Sequence, residues 1–259
     1  MAGTLKMKDR DNNFVLVTGA SRGIGRGAAV ELARAGFDLI LWARSADELH
    51  AVAETCHEFG GRVEIAQVDV SNPDSIAISG NASLSSLKSL RGLVLNAGIG
   101  IWNPLNAVSV DEWRQIMNTN LDGAFYTLKL AVPLVTNHPF AQIVAVVSDS
   151  AAYSYPNRPA YCASKWGMRG LVEAVRRDVR PHGVRVTQLL PSRVDTHFRG
   201  KTPGARRDSL SATDVGCLIA MIFNLPNRIE VRELPVSSIM SSYGPFEELY
   251  VESATETFR

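Results

Sequence analysis

The strongest constraint on the fold is an alternation of short, continuously apolar runs with longer stretches of helical period. The runs are Phe14–Val17, Asp38–Trp42, Val63–Val68, Leu93–Leu95, Ile143–Val147, Val184–Leu190 and a weaker Leu234–Ile239. A strand with one wet face alternates apolar and polar residues, whereas a strand covered on both faces does not. Between the runs lie helical stretches at Arg26–Ala35, Ala46–Glu58, Val110–Leu134, Ala163–Val179 and Ala212–Phe223. This alternation predicts an α/β fold: a doubly wound parallel sheet, one strand per run, with helices on both faces.

Glycine and proline sit at the joints (Gly36, Gly60-Gly61, Pro181, Gly183), where a helix must stop before the next strand, and none marks a domain boundary. The expectation is one domain over residues 1–259, with a polar arm at 1–12 and a tail at 242–259. The tail carries Tyr243, Phe246, Tyr250 and Phe258 among four glutamates. Residues 71–90 are rich in serine with a weak helical period, so both helix and loop stay open there.

The composition, 46% hydrophobic and 20% charged, suits a globular chain with a large core. A net charge of +1 offers no reason to expect a nucleic-acid partner or an anionic membrane surface. The first residues lack the apolar core of a signal peptide, and no apolar run approaches the roughly 20 residues of a membrane span. A cytoplasmic protein is expected. Cys56, Cys162 and Cys217 are far apart, and the five histidines show no ligand spacing, so no metal site is expected.

The first apolar run enters Thr18-Gly19-Ala20-Ser21-Arg22-Gly23-Ile24-Gly25 and then a helix. Glycine serves where the backbone turns sharply and where a pyrophosphate must approach the main chain. The helix beyond offers free N–H groups and its positive dipole end. A tight turn without a ligand is the bland alternative; strand, turn and helix together favour a dinucleotide. The second strand ends Trp42-Ala43-Arg44-Ser45, without the acid that would meet a ribose 2′-hydroxyl. Asp38 lies at the wrong end of that strand and Asp47 is already in the next helix. Arg44, with Arg22, can instead clamp a 2′-phosphate, which favours NADP(H) over NAD(H).

Tyr161-Cys162-Ala163-Ser164-Lys165 opens another helix. A spacing of four puts the phenol and the ammonium on one face, and a nearby cation lowers a tyrosine pKa from its usual value of about 10. Ser148 stands at the carboxyl end of the fifth strand, the rim where open α/β sheets place ligands. Each residue alone has a bland reading, as surface decoration or a turn; the combination carries the chemistry.

From Phe14 to Ile239 the chain resembles the short-chain dehydrogenase/reductase family. Thr18, Gly19, Gly23 and Gly25 match its TGxxxGxG turn, with Ser21, Arg22 and Ile24 in the same loop. Asp69-Val70 matches the adenine contact, and Leu95-Asn96-Ala97-Gly98 matches NNAG with leucine for the first asparagine. Asn120 matches the asparagine that supports a proton-relay water. Ser148, Tyr161 and Lys165 match the catalytic serine and the YxxxK pair. Pro191, Val194 and Thr196 match the PGxVxT segment that holds the nicotinamide carboxamide, with Ser192 for its glycine. Asp149 after the catalytic serine is less usual, and Ser150 is a rival whose spacing to Tyr161 fits worse.

The resemblance implies a Rossmann fold and NADP(H)-dependent reduction of a ketone or aldehyde. Tyr161 would act as general acid, Ser148 would hold the carbonyl oxygen, and Lys165 would lower the tyrosine pKa and hold the nicotinamide ribose. It also implies a homo-oligomer built on the Val110–Leu134 helix and a Trp166, Leu171, Val175 and Val179 face. The segment His197 to Ser211 should form a short lid over an open site. Its Arg199, Lys201, Arg206 and Arg207 against Asp208 suggest an alternative, reduction of a 3-oxoacyl thioester on a phosphate-bearing carrier or CoA. A further alternative, an NADP(H)-sensing protein without catalysis, is disfavoured by the presence of both Tyr161 and Lys165.

Overall fold

The computed structural model describes residues 13–241; the predicted arm (1–12) and tail (242–259) lie outside them. In chain order the strands are β1 (Phe14–Thr18), β2 (Asp38–Ala43), β3 (Val63–Gln67), β4 (Gly92–Leu95), β5 (Gln142–Val146), β6 (Arg185–Pro191), β7 (Val194–Asp195), β8 (Leu210–Ser211) and β9 (Glu233–Val236). The helices are α1 (Gly23–Arg34), α2 (Ala46–His57), α3 (Pro73–Ser75), α4 (Asn81–Leu84), α5 (Val110–Met117), α6 (Gly123–Thr136), α7 (Pro159–Val179) and α8 (Ala212–Asn224). A seven-stranded sheet runs β3-β2-β1-β4-β5-β6-β9, every neighbouring pair parallel. This is the doubly wound Rossmann sheet that the apolar runs predict.

The pleat explains why those runs need no polar alternation. Phe14 and Leu16 join one core with Trp42, Ala131 and Met168, while Val15 and Val17 join a second with Leu32, Val215 and Phe223. The first core lies under α6 and α7, the second under α1, α2 and α8. Every residue of β1 is buried, so truncating Leu16 to alanine would cost about 2–5 kcal/mol. Helix starts are capped from the sequence: Ser109 with Glu112 before α5, and Ser211 with Asp214 before α8, form reciprocal boxes.

Three local features differ from the expectation. β3 and β9 are only partly buried, because each lies at a sheet edge and pairs on one side; the Glu64 and Gln67 of β3 belong to that exposure. The ambiguous 71–90 segment contains α3, a π turn (Ile76–Gly80) and α4, entered through the Asn72 cap and anchored by buried Ile76 and Leu84. Trp42 steadies it by donating from Nε1 to Ser83 Oγ at 3.0 Å. The predicted Val110–Leu134 helix is divided by a π turn, Asn118–Asp122, between α5 and α6. Such turns widen the helix and re-aim side chains, and this one holds Asn120. No helix among the described residues is long and apolar enough to cross a membrane.

Candidate active site

The chain leaves β1 towards β2 on one side and returns to β4 on the other, so a crevice opens at their carboxyl ends. A cavity of about 790 Å³ follows it, well within the range of ligand sites. Among the predicted site residues, Gly19, Ser21, Arg22, Gly23, Ile24, Arg44, Asp69, Val70, Asn96, Ala97, Gly98, Ser148, Tyr161, Lys165, Pro191, Val194 and Thr196 line it. Gly25 and Asn120 do not.

At one end the glycine turn is held by β4. Gly19 and Gly23 take left-handed φ values of 64° and 56°. Asn96 Nδ2 donates to the Thr18 and Gly19 carbonyls at 3.0 and 3.2 Å, while Thr18 Oγ1 accepts from the Asn96 and Ala97 amides at 3.0 and 3.1 Å. A Cβ on Gly25 would lie 2.1 Å from the Gly19 carbonyl oxygen and 2.5 Å from Asn96 Nδ2. Gly25 therefore lets helix, turn and β4 close on one another rather than facing a ligand. The backbone left open beside it is a cradle of the kind a diphosphate requires, at a helix N-terminus.

Beyond the turn, Arg44 is exposed at the end of β2 and lines the cavity with Ser45 and Glu48. Arg22 Nε lies 3.3 Å from Glu48 Oε2. The two predicted phosphate-binding arginines thus differ: Arg22 is shared with a carboxylate that sequence reasoning overlooked, whereas no ion pair engages Arg44 among the described residues. Asp69 turns inward on its own loop, Oδ1 accepting from the amide and hydroxyl of Ser71 at 3.0 and 2.7 Å.

At the other end, α7 presents Tyr161 in its first turn and Lys165 one turn later, both buried. Lys165 Nζ donates to the Val146 carbonyl at 3.2 Å and sits 5.9 Å from the Tyr161 ring centre. Asn120 is fully buried beneath them. Its amide donates to the Ile99 carbonyl and to Ser164 Oγ, both at 3.0 Å, and its Oδ1 accepts from the Ile99 amide at 2.8 Å. It ties the loop after β4 to α7.

The electrostatics correct one expectation. Burial, which disfavours phenolate, pushes the Tyr161 pKa up to about 12, the Ser148 hydroxyl lowering it and the Asp149 charge raising it. Burial also holds Lys165 down at about 8. Desolvation therefore outweighs the predicted effect of the ammonium, and Tyr161 is a firmly protonated group at neutral pH. Ser148 Oγ accepts from the Ser150 amide at 3.1 Å and donates to Asp149 Oδ1 at 3.1 Å. Asp149, buried, also accepts from Ser150 Oγ at 3.4 Å and from the Tyr155 hydroxyl at 2.8 Å.

Sequence reasoning missed an aromatic wall. Trp102 stands 4.9 Å from Tyr161 and 5.9 Å from Phe198 by ring centres. Gly100 makes room for it, since a Cβ there would lie 2.0 Å from the indole. The predicted lid is tied at its base by β7 pairing with β8. Phe198 reaches to 6.1 Å from Tyr161, so the segment narrows the catalytic end instead of leaving it open. Of its four cations Arg199, Lys201 and Arg206 line the cavity, and Arg207 does not. The expected association face divides: Val179 is buried, Leu171 and Val175 pack on the core, and Trp166 is 47% exposed.

Residues 13–206 match the family model described as short chain dehydrogenase. A 3-oxoacyl-[acyl-carrier-protein] reductase from Aggregatibacter actinomycetemcomitans is 33% identical over 184 residues, 70% of this chain and 76% of that protein. A sepiapterin reductase from Chlorobaculum tepidum is 29% identical over 230 residues, 86% of this chain and 94% of that protein. Among solved structures, an alcohol dehydrogenase from the archaeon Thermococcus sibiricus, complexed with 5-hydroxy-NADP, superposes with a TM-score of 0.85 at 30% identity, covering 90% of this chain and 99% of its own. Carveol dehydrogenase from Mycobacterium avium, in complex with NAD, superposes with a TM-score of 0.78 at 26% identity, covering 86% and 95%.

Proposed function

The chain belongs to the short-chain dehydrogenase/reductase family, an oxidoreductase acting on CH–OH and C=O groups, and from that premise we propose that it reduces a ketone or aldehyde with NADPH, Tyr161 donating the proton. The observation that carries this reading is the buried Tyr161, held protonated beside the cavity that Ser148 also lines.

The glycine turn would hold the diphosphate, Asp69 and Val70 the adenine side, and Asn96 to Gly98 with Pro191, Val194 and Thr196 the nicotinamide side. Bound there, NADPH supplies the hydride that reduces the carbonyl carbon. A carbonyl oxygen placed between Tyr161 and Ser148 takes its proton from the phenol, and the two hydroxyls stabilise the charge developing on that oxygen. A phenol whose pKa stands near 12 keeps its proton until an alkoxide forms, which suits reduction. Lys165 places a cation behind the tyrosine and favours the phenolate left by proton transfer. Asn120 holds the loop after β4 against α7 and so keeps the two sides of the cavity in register.

The preference for NADPH rests on Arg44. Its exposed guanidinium at the end of β2 has no acidic neighbour in the position that would meet a 2′-hydroxyl. The relative solved with 5-hydroxy-NADP agrees with that choice, whereas the one solved with NAD does not. Fluorescence titration with NADPH and NADH on wild type and Arg44→Ala tests it. NADPH should bind at least about tenfold more tightly to wild type, and the variant should lose most of that preference, as expected for charge-assisted hydrogen bonds. Equal binding of the two cofactors would refute the Arg44 assignment.

A second reading, reduction of a 3-oxoacyl thioester, is favoured by the cationic lid and by the 33% identical relative. Salt-dependent activity on acetoacetyl-CoA would support it, and absence of activity would remove it. Homo-oligomerisation is proposed through α5, α6 and α7, which pack together and expose Trp113, Phe125 and Trp166. Light scattering on the purified protein tests that assignment.

A further inference from the structure

The mouth of the cavity beside Trp102 holds more positive charge than the proposed reaction uses. Arg158, just before α7, and Arg193, Arg199, Lys201 and Arg206, between β6 and α8, all line it. Arg193 Nη1 donates to Asp208 Oδ2 at 3.2 Å. Arg206 lies 3.7 Å from Asp195 and donates to the Thr196 carbonyl at 3.1 Å. Arg199 and Lys201 have no ion pair with any described carboxylate. Among the described residues Asp149 is the one acidic side chain lining this end, and its two oxygens already accept from Ser148, Ser150 and Tyr155.

The geometry gathers like charges on one ring. The guanidinium carbons of Arg158 and Arg199 lie 4.9 and 4.4 Å from the centre of Trp102. Each stacking contact is favourable alone, yet two cations on one indole repel each other. Burial first, and then the charges of Arg158 and Arg206, lower the pKa of Arg199. Lys201 is lowered first by Arg206. An oxyanion bound beside them offsets the repulsion and meets planar donors suited to two-point hydrogen bonding. The charge also acts close to the reacting position, because Arg158 is among the charges that bear on the Tyr161 phenol.

We propose that Arg158 and Arg199, seated on Trp102, form an anion subsite that selects short carbonyl substrates bearing a carboxylate, sulfonate or phosphate a few atoms from the carbonyl. The inference rests on the reductase reading for its carbonyl, but the anion site stands independently of turnover. A carrier-bound thioester holds its phosphate many bonds from the reacting carbon and does not satisfy charges this near Tyr161. Trp102 and Phe198 supply the apolar wall for the few atoms between carbonyl and anion.

The test separates binding from turnover. Short saturated alcohols bearing a carboxylate, a sulfonate or a phosphonate, each paired with its neutral methyl ester, are titrated calorimetrically into NADPH-saturated wild type and Arg199→Gln, a pairing in which no hydride can be transferred. Arg199 is exposed, so its replacement is the one least able to disturb folding; Arg158→Gln is the second variant. At least one anion should bind wild type about tenfold or more tightly than its ester, and both variants should shrink that ratio to near unity. The anion that gains most identifies the class. The corresponding oxo compounds are then assayed with NADPH. Anion preference in binding without turnover of any oxo compound overturns the reductase reading and keeps the subsite. Equal binding of anion and ester, or a preference that survives both variants, overturns the subsite whether or not reduction is observed.

Discussion

The two ends of the cavity are built by different means. The cofactor end is made of main chain: a turn of glycines fastened to β4 by Thr18 and Asn96, with side chains present mainly as spacers that must be absent. The catalytic and substrate end is made of side chains from separate segments: Trp102 after β4, Arg158 and Tyr161 around the start of α7, and Phe198 and Arg199 beyond β7. A site of main chain recognises what every dinucleotide shares, whereas a site of side chains sets which substrate is chosen. Burial differs likewise. Arg22 and Arg44 lie near solvent, where charges are screened, while Tyr161 and Lys165 are so enclosed that burial dominates their titration.

Substitutions at one end should therefore leave the other measurable. The largest effect is expected from Tyr161→Phe, which removes the proposed general acid and should lower kcat by about 10²–10⁴-fold while NADPH titration still saturates. Loss of cofactor binding in step with turnover would break the division between the two ends. Next come alanine substitutions at two glycines. Gly25→Ala forces a Cβ against fixed backbone and should destabilise the fold by about 1–3 kcal/mol in urea denaturation, weakening NADPH binding with it. Gly100→Ala drives the Trp102 indole aside and should raise the carbonyl KM far more than the NADPH dissociation constant.

The pH response sharpens the comparison further. Lys165, held down at about 8 by burial, sheds its proton above that pH, so reductive kcat/KM should fall as pH rises through about 8. Stability should move the other way. From about pH 8 to the ordinary lysine value of 10.5 the unfolded chain binds more protons at this position, so its contribution to stability rises with pH. Tyr161 acts with the opposite sign above pH 10, where the unfolded phenol ionises and the buried one does not, and its contribution then falls. A pH profile of kcat/KM beside urea melts reads both. The smallest effect belongs to Glu48→Gln: releasing Arg22 from an exposed ion pair should tighten NADPH by about two- to threefold.

The same difference of construction governs what the sequence makes legible. The sheet shows in its apolar runs because strands covered on both faces tolerate few polar residues. The glycine turn shows because strand, turn and helix are contiguous, Gly19 and Gly23 take left-handed φ values, and a Cβ on Gly25 would strike the Gly19 carbonyl. Tyr161 and Lys165 show because helical spacing alone brings them together. The Trp102 wall does not, since no local pattern announces that an indole after β4 will meet Phe198 nearly a hundred residues later. The Arg22–Glu48 pair was hidden because Glu48 reads as an ordinary first-turn acid of α2. The direction of the Tyr161 shift was misjudged for a physical reason: sequence shows the neighbouring charge and not the depth of burial.

The measurement that tests the central claim most directly is a single-turnover competition between [4-²H]NADPH, labelled on the transferred face, and unlabelled NADH at equal concentration, with a panel of short ketones and aldehydes as acceptors. The account predicts an alcohol carrying deuterium on its carbinol carbon in most product molecules, and no product with Tyr161→Phe on the same timescale. Product free of deuterium, or undiminished transfer by the variant, would contradict it.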